Sequence, residues 1–194
     1  MPTQTKTSEE RMTLEAYLEW EAGTGRKYEF YDGEIVEMSG GTFEHNLIAA
    51  NVLEALRKRL RDREMRYFVL GSDMKIYLPD FNHAVYPDAV VICEEPKFYE
   101  GRSDLLLNPL LIVEVLSEST EKYDRGEKLL KYQTLSSFKE YVLISQTHYF
   151  VTTWYAEAED LWRFGNYRKR EDNLQLRSLD LEIPVEELYE GLKL

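Results

Sequence analysis

Apolar positions change their spacing along the chain, and each change marks an element. In "TLEAYLEWEA" (13–22), Leu14, Tyr17 and Leu18 recur at helical intervals behind Thr13, a residue suited to capping a helix. In "KYEFYDGEIVEM" (27–38) the apolar residues alternate instead, with Asp32-Gly33 between the two runs. That dipeptide tolerates the positive backbone angles of a two-residue turn, so the stretch predicts a hairpin. After Gly40-Gly41 the spacing becomes helical again. Leu47, Ile48, Val52, Leu56 and Leu60 predict the buried stripe of a helix over about 43–63. Three strand-like runs follow at 66–71, 73–79 and 85–92, and the charged, irregular 93–108 reads as a loop. "PLLIVEVLS" (109–117) is an unbroken apolar run, typical of a strand covered on both faces. Ser119 or Thr120 can cap a helix running to about Leu135, and "EYVLIS" (140–145) predicts another buried strand. The runs 149–156 and 161–167 predict a hairpin, and Pro184 suits the first turn of a short last helix, 184–190.

Strand, helix and strand over 110–145 imply a right-handed crossover between parallel neighbours. The other strands read as antiparallel. The expected fold class is α/β, a mixed central sheet flanked by helices and preceded by an N-terminal helix and hairpin.

A length of 194 residues suits one domain, read as 13–194 behind a flexible 1–12. The polar N-terminus lacks the apolar core of a signal peptide, and no run of about 18 apolar residues predicts a membrane span. The one cysteine, Cys93, excludes an internal disulfide and a cysteine-rich zinc site. These features together predict a cytoplasmic protein with no membrane partner. A net charge of −12 argues against nucleic-acid binding through the average field of the molecule. A nucleic-acid site would need a local basic patch, and the candidates are 57–66 and 167–170. Each also reads as a solvated face.

The apolar run at 109–117 has an acid in its middle, Glu114. Burying an unpaired carboxylate costs several kcal/mol or forces it to take up a proton. Asp88, in "YPDAVVI", opens a neighbouring strand candidate just after a proline. Two converging carboxylates repel unless a cation lies between them, and Mg²⁺ commonly takes one or two carboxylates plus water. The plainer alternative is that Asp88 caps a turn and Glu114 pairs with a basic side chain. Asp124, Lys128 and Tyr132 recur at i, i+4 and i+8 and share a helix face. They form either a surface pair or a route that brings an ammonium to the carboxylates.

"YEFYDGE", His45, "YPDAVV", "IVEVLS" and "YDRGEKLLKY", in this order, resemble the Uma family of the restriction-endonuclease-like PD-(D/E)XK superfamily. The resemblance covers roughly 13–190. It implies a restriction-endonuclease-like core and a nuclease that uses Mg²⁺ or Mn²⁺. The implied metal ligands are Asp88 and Glu114, and the implied substrate is nucleic acid, DNA in the first instance. The superfamily places a lysine two positions after the second acid, but this chain has Leu116 there. The resemblance then implies a lysine displaced to the next helix, Lys128, with Lys131 and Lys122 behind it. His45 falls where relatives carry an extra polar active-site residue; it also reads as a helix-start histidine bonded to backbone. Glu29 and Glu34 flank the hairpin turn and read as structural. Two competing readings remain: a catalytically inactive, homodimeric binding module on the same scaffold, and a metal-dependent hydrolase of smaller acidic substrates.

Overall fold

The computed structural model describes residues 11–117 and 121–194. The chain opens with helix α1 (Leu14–Thr24), where Thr13 Oγ1 accepts from Ala16 N at 3.2 Å. Strands β1 (Tyr28–Tyr31) and β2 (Glu34–Glu37) follow, turning through Asp32 at φ 48° and Gly33 at φ 97°. Helix α2 (Phe43–Leu60) is capped by Thr42, which accepts from His45 N. Strands β3 (Tyr67–Gly71), β4 (Lys75–Leu78), β5 (His83–Val85), β6 (Ala89–Cys93), β7 (Leu105–Leu106) and β8 (Leu111–Leu116) lead to two short helices, α3 (Glu121–Asp124) and α4 (Glu127–Tyr132). The chain continues through β9 (Glu140–Ser145), β10 (Val151–Ala158), β11 (Leu161–Tyr167), β12 (Asn173–Leu176), β13 (Leu181–Pro184) and α5 (Val185–Leu188).

Six strands form one sheet in the order β11-β10-β9-β8-β6-β3. Only β8 and β9 run parallel within it. The Glu114 strand β8 therefore lies inside the sheet, between β6 and β9, as its unbroken apolar run predicts. A second sheet has the order β2-β1-β5-β4-β7, and β12 pairs with β13 as a ribbon. One face of the six-stranded sheet packs on α2 through Ile48, Val52 and Leu56 against Val91, Val113 and Ile144. The other face meets the five-stranded sheet and α4, through Val90, Ile112 and Leu143 against Ile76, Val85 and Tyr132. The far side of the five-stranded sheet is covered by α1, with Tyr17 stacked on Phe30.

Three details differ from the sequence reading. The run 85–92 is two strands, not one: β5 joins the five-stranded sheet and β6 the six-stranded sheet. The chain changes sheets at Tyr86-Pro87-Asp88. Pro87 has no N–H for a ladder and restricts the residue before it, so pairing breaks there. The helix after β8 is interrupted at Arg125-Gly126, where Gly126 leaves helical geometry at φ −124°, ψ −91°. Its expected caps, Ser119 and Thr120, lie outside the described residues, as does the expected flexible N-terminus up to residue 10. The loop 93–108 contains β7, parallel to β4. The basic run 57–66 is largely exposed, in line with the solvated-face reading. Three of its arginines also tie α2 to its surroundings: Arg57 donates to Val69 O, Arg59 pairs with Glu187, and Arg63 donates to Asp180 O. Among the described residues, no helix is long and apolar enough to cross a membrane.

Candidate active site

The change of sheets at Pro87 sets Asp88 at the end of β6. The pairing of β6 with β8 ends at Ala89↔Val113, so Asp88 stands just beyond it, beside the Glu114 stretch of β8. Asp88 Oδ2 accepts from Val115 N at 2.7 Å and lies 3.3 Å from His45 Nε2. His45 arrives from the first turn of α2, on the opposite side of the six-stranded sheet from α4. The hydrogen bond to Asp88 raises its pKa above the usual imidazole value; burial opposes this, and the Asp88 charge and a hydrogen bond to the Val115 backbone add to it. His45 Nδ1 is buried without a hydrogen-bond partner among the described residues. Gly41 lies against it, and a Cβ at that position would come within 2.7 Å of Nδ1.

Glu114 projects from β8 into the layer between the sheets, alongside Ile112 and Leu116. Its Oε1 is 2.7 Å from Lys128 Nζ and accepts from Tyr132 OH at 3.2 Å. Lys128 Nζ is also 3.4 Å from Asp124 Oδ1. Glu114, Asp124 and Lys128 are only 4%, 3% and 5% exposed, which rules out the surface-pair reading of Asp124 and Lys128. The i+4 relation survives the interruption of the helix. Lys131 turns elsewhere, 3.6 Å from Glu127 and 5.0 Å from the centre of the Tyr123 ring, and Lys122 is exposed. Burial pushes the Glu114 carboxyl well up, and the charges of Asp124 and Asp88 push the same way against the Lys128 ammonium.

The four residues singled out from the sequence form two contact pairs, His45–Asp88 and Glu114–Lys128, and the charge of Asp88 acts on Glu114. A fourth acid, Glu29, stands close by. Glu29 Oε1 accepts from Tyr86 N at 3.0 Å and Oε2 accepts from the Tyr31 hydroxyl. Its charge also reaches Lys128 and Tyr132. From the sequence Glu29 reads as a structural residue flanking the hairpin turn. The signal was in the alternation: Tyr28 and Phe30 face α1, so Glu29 and Tyr31 must face the layer between the sheets.

Chemically, the cluster sets three carboxylates, Asp88, Glu114 and Asp124, against one lysine and one histidine. The contacts above use one oxygen of each of Asp88 and Glu114. Among the described residues, no group of three or more His, Cys, Asp or Glu side chains is arranged to hold a metal ion. Mg²⁺ rarely requires such a cage; one or two carboxylates, completed by water and a phosphate, are enough. Asp88 and Glu114 are the pair that could serve.

The Uma2 family model, described as a putative restriction endonuclease, matches residues 14–186. Two proteins of Synechocystis sp. (strain ATCC 27184 / PCC 6803 / Kazusa) are similar in sequence. Uncharacterized protein sll1609 is 35% identical over 151 residues, covering 78% of this chain and 84% of that protein. Uncharacterized protein slr1290 is 31% identical over 182 residues, covering 94% and 93%. Among solved structures, a putative nuclease belonging to DUF820 from Anabaena variabilis ATCC 29413 superposes with a TM-score of 0.71 at 15% identity, over 92% of this chain and 97% of that one. The fold is therefore shared with that protein.

Proposed function

The chain belongs to the Uma2 family, and from that premise we propose that it is a metal-dependent nuclease hydrolysing phosphodiester bonds of nucleic acid, DNA foremost, at the Asp88–Glu114 cluster. The observation that carries this reading is an excess of acid over base: Glu114 and Asp124 share Lys128, and a third carboxylate, Asp88, has only the imidazole of His45 as its ionic partner among the described residues. A hard dication suits an oxygen-rich pair of this kind, with Mg²⁺ or Mn²⁺ held by Asp88 and Glu114. Such an ion supplies Lewis acidity and a more acidic bound water.

The protein groups divide the remaining work. Lys128 brings positive charge to the level of the carboxylates, the role vacated at Leu116, which is buried in apolar surroundings. Tyr132 and Asp124 hold its ammonium and its partner Glu114 in place. His45, bonded through Nε2 to Asp88, orients that carboxylate and can hold a proton beside it. Tyr86 fixes the approach to Asp88, since Glu29 accepts its N–H and Glu21 accepts its hydroxyl. The same reading makes the protein a single-domain cytoplasmic homodimer. Support for the dimer comes from β11, an outer strand with Leu161 and Phe164 56% and 53% exposed.

The test is cleavage of plasmid and single-stranded DNA with Mg²⁺ or Mn²⁺. The parent should cut and Asp88→Asn should not. Lys128→Ala should lower turnover at least about tenfold, equivalent to about 1.4 kcal/mol of transition-state stabilisation. A parent that binds DNA but cleaves none of these substrates would replace this reading with the inactive binding module.

A further inference from the structure

A nuclease of net charge −12 must meet its polyanionic substrate at a local patch of opposite sign. Within the basic run at the end of α2, Arg57, Arg59 and Arg63 bond within the protein, while Lys58 and Arg61 are exposed on the surface. Within 167–170, Arg170 is paired with Glu186 at 3.1 Å. Arg168 is different: it makes no ion pair among the described residues, and its guanidinium lies 5.1 Å from the centre of the Phe150 ring. Arg125, from the junction of α3 and α4, lies 5.4 Å from the same ring. The His148 ring stacks on it at 5.7 Å and 9°. Three groups able to carry positive charge, from three separate elements, are therefore gathered on one aromatic side chain. Glu121 reaches only one of them, Arg125, at 2.7 Å.

We propose that Arg125, Arg168 and His148, assembled on Phe150, grip the phosphate backbone of a nucleic-acid strand entering the Asp88–Glu114 site. This rests on the nuclease reading for its substrate class. Position supports it. Arg125 directly follows Asp124, whose carboxylate meets Lys128. Ser145 N donates to Phe150 O at 2.9 Å, and in the β8–β9 register Leu143 stands opposite Glu114 and Ser145 opposite Leu116. The patch thus begins two strand residues along and two strands across from Glu114, about 12 Å at 3.3 Å per residue and 4.8 Å per strand. That is about three to four nucleotide rises at 3.4 Å per strand. The turn is tied back to the catalytic side, since Thr42, the cap of the His45 helix, donates to Gln146 Oε1 at 2.7 Å. The chemistry favours phosphate over a base. His148 already occupies the Phe150 ring as a stacking partner, and guanidinium forks match phosphate oxygens.

The experiment measures DNA binding by fluorescence anisotropy with short oligonucleotides at graded salt, in the Asp88→Asn background so that cleavage plays no part. Arg168→Glu and Arg125→Glu should each weaken binding at least about tenfold. Each should also flatten the slope of log affinity against log salt by about one, as expected for a lost phosphate contact. Arg168→Lys should retain most of the affinity, and the melting midpoint of every variant should match the background protein. Unchanged binding in both charge-reversal variants would overturn the patch even if the parent cleaves DNA. Charge-sensitive binding by a parent that cleaves nothing would uphold the patch and sink the nuclease.

Discussion

Two buried lysines sit in nearly matching surroundings. Lys75 lies between Glu21 at 2.5 Å and Asp104 at 3.3 Å, and Lys128 lies between Glu114 at 2.7 Å and Asp124 at 3.4 Å. In each case a tyrosine hydroxyl donates to the glutamate: Tyr86 to Glu21 at 2.6 Å and Tyr132 to Glu114 at 3.2 Å. The difference is in what completes them. Around Lys75, Arg102 takes both oxygens of Asp104 at 2.8 Å, and Tyr28 N adds a bond to Glu21 at 3.1 Å. Two acids meet two bases, and the result is a clasp between α1, β4 and the 93–108 segment. Beside the Lys128 pair stands a third acid, Asp88, whose charge acts on Glu114 and whose partner is an imidazole. A balanced buried network has no need of a ligand. An unbalanced one raises the energy of its own charged state and favours any cation that restores the balance.

The comparison breaks most visibly when the glutamates are neutralised. Glu21→Gln removes one partner of a balanced buried pair, and the expected loss is about 3–5 kcal/mol of unfolding free energy in urea. Glu114→Gln removes a surplus charge while Asp124 still holds Lys128, so stability in the absence of metal should stay level or rise. The pH dependence has a definite sign. Because the folded Glu114 pKa is raised, parent stability from this group is complete below the ordinary glutamate value of about 4.3 and declines as pH climbs through the folded value. The advantage of Glu114→Gln should therefore be absent in acid and grow toward neutral pH. Equal losses in the two variants would erase the distinction between clasp and site.

A smaller effect sharpens the Asp88 side. The raised pKa of His45 means that its ionic bond to Asp88 contributes fully below about 6.5, the ordinary histidine value, and is lost as pH rises through the folded value. In an NMR titration, Asp88→Asn should lower the His45 midpoint. A midpoint that does not move would show that the hydrogen bond to Asp88 has little weight.

Much of this arrangement can be read in the sequence because it rests on local patterns. The unbroken run at 109–117 identifies the interior strand, and the Asp-Gly pair identifies the hairpin. Asp124, Lys128 and Tyr132 advertise a common face by their spacing. What escapes is set by distant pairing. Pro87 marks a break in pairing, but nothing local shows that β5 and β6 then enter different sheets. Glu21 and Lys75 are 54 positions apart and carry no shared spacing. Phe150 gathers Arg125 and Arg168 only because the turn after β9 folds back beside α3. Glu29 is legible by contrast, since its place in an alternating strand aims it inward.

The central claim is that the Asp88–Glu114 cluster is short of positive charge and takes a divalent ion. Thermal unfolding with and without Mn²⁺ tests it directly, since an ion that binds only the folded state must raise the midpoint. The parent should gain stability on adding Mn²⁺. A protein carrying both Asp88→Asn and Glu114→Gln should show no such gain, because the charge deficit is gone. An equal Mn²⁺-induced rise in both proteins would contradict the account.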